Sequence, residues 1–168
     1  MDFLTLARER FSVLEYEHRE VEPEKLDAIL DAALAAPTAC NNQPQRILVI
    51  DTEEKRKKLR AAAPGGYYAP AAFLVCYDRR ECWVRPMDGK SSGEIDASIA
   101  ATHMLLEAAA LGLGSIWVMY WDAKKMKEIF GLEEHIEPVA LLIVGYRAEG
   151  AAPRPGHFAS KARQELLL

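Results

Sequence analysis

The sequence predicts a single α+β domain. Apolar residues recur at helical spacing over residues 26–34, whereas residues 71–77 form an uninterrupted apolar run that is typical of a central strand. Segments of the two kinds are mixed along the chain without strict alternation, which favours α+β over a doubly wound parallel sheet. A length of 168 residues is enough for one hydrophobic core and short for two.

Proline and capping residues place the helices of the first third of the chain. Pro23 suits the first turn of the helix that carries the apolar stripe over residues 26–34. Asp51 or Thr52 suits the N-cap of the charged helix that follows. A shorter helix is predicted at the N-terminus, closing at residues 8–12.

The longest helix is predicted from Glu94 to Leu111, with Gly112 placed to end it. It is apolar on nearly every face, so we expect it to be buried on all sides as the spine of the core. A shorter helix is predicted from an N-cap at Asp122 to Gly131. Its apolar side chains are predicted to face inward: Met126, Ile129 and Phe130.

Strands are predicted where short apolar runs lie between turn residues: 46–50, 71–77, 115–120 and 139–146. Gly65 and Gly66 break the chain before the second strand, and residues 79–93 form a polar loop. Prolines and glycines indicate an extended arm at residues 148–158. An arm with so few large apolar residues cannot fold alone, so we expect residues 148–168 to pack on a partner subunit.

Composition and charge exclude several classes of protein. The net charge of -4 argues against a general nucleic-acid binder, and no apolar run approaches the roughly 20 residues that cross a bilayer. The N-terminal stretch is charged, unlike a secretory signal, and three widely spaced cysteines suit free thiols, so we expect a cytoplasmic protein. No metal-ligand spacing is present. The glycines at 112 and 114 follow a helix, unlike a dinucleotide-binding fingerprint.

Two polar clusters are candidates for ligand binding. Residues 8–12 (RERFS) bring guanidinium groups and a hydroxyl together, which suits a phosphate, but cations are also favourable at a helix end without any ligand. Residues 37–44 (PTACNNQP) place three amides and a hydroxyl between two prolines, and these groups suit a ring with a carbonyl–imide edge. A plain surface turn is the alternative for the second cluster. For neither cluster does residue spacing alone decide between the two interpretations.

Together these segments resemble the nitroreductase family. The family's N-terminal Arg-x-Ser-x-Arg/Lys segment matches at Arg10 and Ser12, and its A-P-[ST]-A-x-N-x-Q-P loop matches throughout residues 36–44. Residues 108–117 (AAALGLGSIW) resemble its late A-x-x-L-G-L-G-S-x-W segment. Lys161 and Arg163 resemble the basic pair near its C-terminus. The four matches follow the family's order along most of the chain.

The resemblance implies a nitroreductase-like fold with a central, mostly antiparallel sheet, and an intertwined homodimer with active sites at the subunit interface. It implies FMN as cofactor and NADH or NADPH as reductant, with hydride entering at flavin N5 and leaving to a nitroaromatic, quinone or similar acceptor. No catalytic side chain is implied. Thr38 and Gln43 are implied to act across the interface. The implied cofactor-binding residues are Arg10, Phe11, Ser12, Pro37, Thr38, Ala39, Asn41, Gln43, Val118, Met119, Tyr120, Lys161 and Arg163.

Several positions depart from the family pattern. Leu14 stands where a cation is usual, Phe11 where a second arginine is frequent, and Gln45 where a tryptophan is common. The Gly65-Gly66 region lacks the Asn and Lys of longer members, and the chain lacks their helical insertion, which predicts a more open flavin face. The substrate and the preference for NADH or NADPH stay open for these reasons.

Other conspicuous residues are interpreted as structural. His103 is predicted to be a satisfied core histidine, and Cys40 a small packing residue rather than a redox thiol. Three aromatic residues are predicted in the core or an interface: Trp117, Tyr120 and Trp121. Candidates for the substrate mouth are Tyr67, Tyr68, Trp83 and Arg85.

Three alternatives stand beside an NAD(P)H-dependent reductase. A specialised relative would use the same flavin site for reductive dehalogenation or flavin fragmentation. A binding protein would hold flavin or a nucleotide without turnover. A structural dimer would use residues 8–12 only as a solvated helix end.

Overall fold

A computed structural model describes residues 2–63, 65 and 68–168, and its central feature is a four-stranded antiparallel sheet of order β1-β2-β4-β3. The strands are β1 (Gln45–Ile50), β2 (Ala71–Asp78), β3 (Gly114–Val118) and β4 (Ile136–Gly145). The helices are α1 (Phe3–Glu9), α2 (Pro23–Leu34), α3 (Glu53–Ala62), α4 (Gly93–Ala110) and α5 (Ala123–Phe130). Short 3-10 turns lie at Ala39–Asn41, Pro155–Phe158 and Arg163–Leu166. The predictions of an α+β fold and an antiparallel sheet are confirmed.

Helices cover both faces of the sheet. On one face α4 packs against the sheet and α2 packs against α4, and Phe73 of β2 is buried in this layer together with Met104 of α4. On the other face α3 and α5 form the layer in which Leu74 and Met126 are buried. Adjacent residues of β2 therefore point into two different cores, which explains why its sequence is apolar without alternation.

The predicted helix boundaries agree closely with the structure. Pro23 is the first residue of α2, and Thr52, not Asp51, caps α3 by accepting the Lys55 N–H at 3.3 Å. Asp122 caps α5 by accepting the Lys125 N–H at 2.9 Å. Left-handed glycines follow the helices as expected: Gly112 after α4 and Gly131 after α5.

Two strands have boundaries that differ from the prediction. β3 ends at Val118, so Met119 and Tyr120 lie beyond the sheet rather than within it. β4 begins at Ile136, three positions earlier than predicted, because the sheet accommodates Pro138 at a bulge opposite Cys76. A proline has no N–H to give to a ladder, and a bulge removes the need for one.

The prediction that the longest helix is buried on all sides is wrong for a single chain. Ala97, Ala101 and Met104 of α4 are buried in the core, but Ile95 is 50% exposed and Thr102 is also exposed. One face of α4 therefore has no cover in the single chain.

The C-terminal arm is mostly exposed, and its first half contacts the chain's own N-terminal segment. The His157 ring nitrogen Nε2 lies 3.2 Å from the carbonyl oxygen of Arg8, and the ring meets Phe11 edge-on. Its packing on a partner stays a prediction. The break predicted at Gly66 lies outside the described residues. Across the described ranges, no helix is long and apolar enough to span a membrane.

Candidate cofactor site

The loop at residues 37–44 has an unusual backbone. Cys40, Asn41 and Gln43 have φ values of 52°, 54° and 51°, in the left-handed region that residues other than glycine rarely adopt. Each such residue costs about 1 kcal/mol or more and persists only where the surrounding structure holds it. The hydroxyl of Thr38 contributes by accepting the Gln43 N–H at 3.0 Å. This geometry is not that of a plain surface turn, and it favours the ligand-binding interpretation of the loop.

Hydrogen bonds fasten the loop at both ends. The Ala39 N–H donates to Asp96 Oδ1 of α4 at 3.0 Å, and the Ser92 hydroxyl donates to Asp96 Oδ2 at 2.6 Å. The Asp78 N–H donates to the Pro44 carbonyl at 2.8 Å. Sequence reasoning missed Asp96. The available signal was an acidic residue in the first turn of an otherwise apolar helix.

The segment after α1 lies alongside the start of β3. Ser12 forms a parallel bridge with Ser115, and the Val13 N–H donates to the Ser115 carbonyl at 3.0 Å. A Cβ at Gly114 would lie 2.8 Å from Val13 Cγ2, closer than real Cβ contacts come. The two glycines of the L-G-L-G-S motif therefore have separate roles. Gly112 makes the left-handed turn, and Gly114 lets the N-terminal segment approach the strand.

Arginines without a carboxylate partner are concentrated at the two ends of the chain. Seven arginines form ion pairs: Arg19, Arg46, Arg56, Arg60, Arg79, Arg80 and Arg85. Five have no ion pair within residues 2–63, 65 and 68–168: Arg8, Arg10, Arg147, Arg154 and Arg163. Arg10 is half-buried, and Arg147 stacks on the Phe11 ring at 5.3 Å. Unpaired guanidinium groups suit an external anion such as a phosphate.

Two clefts lie beside the predicted binding residues of the N-terminal segment, the arm and the end of β3. A cleft of about 460 Å³ lies between Phe11, Ser12 and the arm, with Trp117, Arg154 and His157 in its wall. A second cleft of about 500 Å³ lies beyond the end of β3, and Met119, Tyr120 and Trp121 line it. Val118 is buried at the end of the strand. Lys161 and Arg163 are exposed in the last part of the arm.

The predicted binding segments lie at opposite ends of α4. The loop is bonded to Asp96 in the first turn of the helix, whereas Ser12 meets Ser115, five residues beyond its last residue, Ala110. A helix of 18 residues is about 27 Å long at roughly 1.5 Å per residue. A single chain therefore does not bring Thr38, Asn41 and Gln43 together with Arg10 and Ser12.

The remaining candidates have varied surroundings. His103 is satisfied by the Ile99 carbonyl, 2.9 Å from Nδ1, as predicted, although it is only half-buried. Cys40 is exposed in the single chain, so its interpretation as a small packing residue stays a prediction. Trp117 and Trp121 are half-buried against the two core layers, while Tyr120 is 73% exposed. Tyr67 lies outside the described residues. The other candidates for the substrate mouth are Tyr68, which is exposed, and Trp83 and Arg85, which are half-buried.

Titratable groups near the sheet are structural. Desolvation raises the pKa of the Cys76 thiol to about 12, so this thiol stays protonated. Hydrogen bonds from Arg80 hold the pKa of the buried Asp78 carboxyl well below its usual range. No group of three or more potential metal ligands occurs in the part of the chain that the structure describes.

The donor set fits a phosphorylated flavin. Arg10 offers an unpaired guanidinium, and the Asn41 amide makes no side-chain hydrogen bond within the described ranges. Two buried side-chain oxygens also lack a partner there, Gln45 Oε1 and Ser115 Oγ. Each stands next to one of the two predicted binding segments, one directly after Pro44 and the other opposite Ser12. Both oxygens are enclosed by the protein itself, so the groups that stay accessible to a ligand are the Arg10 guanidinium and the Asn41 amide.

Comparisons with known proteins identify the family of the chain. A family model described as "Nitroreductase family" matches residues 7–69 and 64–146. A relative from Methanothermobacter thermautotrophicus, provisionally named NADH dehydrogenase/NAD(P)H nitroreductase, is 32% identical over 92% of this chain and 82% of its own length. The crystal structure of a nitroreductase family protein from Clostridium difficile has a TM-score of 0.93 and 41% identity, covering 100% of this chain and 98% of that one. A protein from Desulfovibrio desulfuricans, provisionally named a nitroreductase and solved in complex with FMN, has a TM-score of 0.84 and 29% identity, covering 98% and 94%.

Proposed function

The chain belongs to the nitroreductase family, and from that premise we propose that it is an FMN-dependent oxidoreductase that uses NADH or NADPH to reduce a small acceptor. We include nitroaromatics and quinones among the acceptors. FMN, when bound, supplies the hydride-accepting and hydride-donating chemistry. The observation that carries the proposal is the division of the binding groups between the two ends of α4, described above, because it explains how one chain can hold a complete set of donors without forming a complete site.

The cations at the chain ends are proposed to hold the flavin phosphate. Arg10 is half-buried beside Ser12, and neither side chain has a hydrogen-bond partner within the described residues. A guanidinium and a hydroxyl together give a phosphate charge-assisted bonds. Lys161 and Arg163, exposed on the arm, are proposed to add positive charge from the C-terminal side. Phe11 supports Arg147 and His157 around the same cleft.

A homodimer is proposed because a second copy would complete the site. If two chains pack with their α4 helices antiparallel, the loop of one chain comes to the end of α4 that carries Arg10 and Ser12 in the other. Two-fold symmetry then produces two equivalent sites. Thr38 and Gln43 would contact the flavin from the second chain, as the sequence resemblance implied, and Asn41 of the same loop would contact it beside them.

Exposed apolar surface supports the same assembly. Large apolar side chains stand in solvent on α1, on α4, beyond β3 and on the arm: Phe3, Leu4, Ile95, Met119, Tyr120, Phe158, Leu166, Leu167 and Leu168. We propose that these side chains form part of the contact with the second copy, since apolar surface in solvent often marks a protein–protein contact. Burial of these groups against a second copy would stabilise the dimer through the hydrophobic effect.

The chain's own residues are proposed to bind and orient rather than to react. Met119 and Tyr120 lie beyond β3, which ends at Val118, so we propose that main-chain N–H groups at this strand end reach a flavin ring edge. The Val118 and Met119 carbonyls already accept from the indole and main-chain N–H groups of Trp121. Pro37 and Ala39 hold the backbone of the loop, and its amides provide donors and acceptors. Electrostatic support of a reduced ring requires donors fixed in advance, and the constrained loop provides them.

The test is made on the purified full chain. Light scattering gives its mass, absorbance near 450 nm gives the flavin content, and anaerobic addition of NADH or NADPH measures bleaching. We expect a yellow dimer that bleaches and is reoxidised by a nitroaromatic or a quinone. A colourless monomer with no affinity for FMN would refute the proposal. A yellow dimer that neither nucleotide reduces would indicate a flavin-binding protein without turnover.

A further inference from the structure

We propose that Asp96 is a positioning residue that fixes the flavin-binding loop to α4, and this inference rests on the function proposed above. Its side chain is 2% exposed and bonded through both oxygens. Oδ1 accepts the main-chain N–H of Ala39 at 3.0 Å, and Oδ2 accepts the Ser92 hydroxyl at 2.6 Å.

The position of Asp96 makes a carboxylate well suited to this role. It lies in the first turn of α4, where the helix dipole favours negative charge. The Asp96 N–H itself donates to the Ser92 carbonyl at 2.8 Å, so residues 92 and 96 are held together by both main chain and side chain. The carboxylate therefore has little freedom to turn away from the loop.

The bond to Ala39 acts on the strained part of the loop. Ala39 directly precedes Cys40 and Asn41, two of the three left-handed residues. Without its acceptor, the Ala39 N–H would turn to water and the backbone would relax towards ordinary φ values. The amides of Asn41 and Gln43 would move with it.

The same bond connects the loop to the element that separates the two halves of the site. In the proposed dimer the loop of one chain must reach the phosphate segment of the other, and both are placed along α4. A loop that shifts against α4 therefore shifts against the partner's flavin. Asp96 is argued to act through Ala39, without touching the cofactor.

Two substitutions separate the effect of the hydrogen-bond acceptor at residue 96 from the effect of its negative charge. Asp96→Asn keeps an oxygen for the Ala39 N–H and places an amide donor beside the Ser92 hydroxyl, which can accept. Asp96→Ala removes both bonds. We expect Asp96→Ala to weaken FMN binding about tenfold or more, because a hydrogen bond to a charged group is lost where it orders the site. Asp96→Asn is expected to stay within about threefold of the parent, since its main contact is preserved.

Thr52→Ala is the matched control. Thr52 accepts the Lys55 N–H at 3.3 Å as the N-cap of α3, and loss of a helix cap lowers stability without acting on the loop. Each protein is measured for its apoprotein melting temperature, its Kd for FMN, and the visible circular dichroism of the bound flavin. The inference predicts that Thr52→Ala lowers the melting temperature without changing the flavin dichroism, whereas Asp96→Ala changes the dichroism and Asp96→Asn restores it.

Two results would overturn the inference. One is an Asp96→Ala protein whose flavin dichroism and Kd match those of the parent. The other is a change in Kd that follows the loss of melting temperature equally in Asp96→Ala and Thr52→Ala. The parent protein keeps the two proposals apart, because failure of the parent to bind FMN defeats the proposed function itself. Normal FMN binding by the parent together with either result above defeats only the role of Asp96.

Discussion

Gly114→Ala tests whether the second glycine of the L-G-L-G-S motif is required for the N-terminal segment to lie against β3. An added Cβ would stand 2.8 Å from Val13 Cγ2 and 2.8 Å from Arg147 Cγ. Arg147 is exposed and can move, but Val13 is 2% exposed within the core layer of α3 and α5. Overpacking of a filled core costs about 1–3 kcal/mol. For a chain of this size that corresponds to a melting temperature about 2–12 °C lower, at roughly 2–4 °C per kcal/mol.

The same displacement predicts an effect on the cofactor. Relief of the clash moves Val13 away from the strand, and Ser12 and Arg10 move with it. Loss of one charge-assisted bond to the phosphate, worth about 1.5 kcal/mol, weakens FMN binding about tenfold. Melting curves of the apoprotein and fluorescence titration with FMN measure the two effects separately.

Gly112→Ala is the matched control for Gly114→Ala. Gly112 has φ +78° with nothing within 4 Å of an added Cβ, so alanine there costs about 1 kcal/mol of backbone strain without pushing on a neighbour. We expect it to lower stability while leaving FMN affinity unchanged. The reasoning is refuted if Gly114→Ala binds FMN as tightly as Gly112→Ala, or if its melting temperature equals that of the parent.

Three further predictions address the phosphate site, the arm and the thiols. Arg10→Ala should weaken FMN binding about tenfold to a hundredfold through loss of charge-assisted bonds, and Leu14→Lys should tighten it. Arg60→Ala, at an arginine that is already ion-paired, is the control. Equal FMN affinities in all three titrations would exclude a phosphate site at Arg10. Deletion of residues 148–168 should reduce both the dimer fraction and the flavin content, and light scattering that shows an intact, fully loaded dimer would contradict this. At pH 8 a thiol reagent should label exposed Cys40 but not buried Cys76, whose pKa is raised to about 12. Because the folded state holds the Cys76 proton more tightly than the unfolded state, the thiol has no effect on the free energy of unfolding below pH 9. Between pH 9 and pH 12 it lowers the free energy of unfolding progressively, and Cys76→Ala should remove this loss.

Local signals predicted most of the fold. Caps at Thr52 and Asp122 and the left-handed Gly112 and Gly131 obey rules that involve only a few neighbouring residues, so the sequence locates them within a residue or two. The start of β4 was missed because Pro138 is tolerated only through a bulge, and a bulge depends on the partner strand. The exposed face of α4 was missed for a similar reason, since an apolar helix face looks the same in sequence whether its own chain or another copy covers it.

The candidate site shows the same division between local and distant information. Arg10, Ser12 and the loop could be proposed from the sequence because each is carried by a short motif. Asp96 carries no motif of its own, and its importance comes from a bond to Ala39, 57 positions earlier in the chain. No spacing rule connects the two residues, so only the packing of the loop against α4 reveals their contact.

The length of α4 connects these observations to a functional conclusion. The helix holds the loop at its first turn and delivers the chain to Ser115 just after its end, so the two sets of donors are kept at opposite ends of a rigid element about 27 Å long. While Asp96 holds Ala39, the loop stays at the first of these ends. If these donors converge on one flavin, as proposed, a second chain is needed, and dimerisation would then be a condition of cofactor binding rather than an addition to it. It follows that dilution of the protein below its dimer dissociation constant should release FMN, and that saturating FMN should in turn stabilise the dimer, because ligand binding and assembly share one equilibrium.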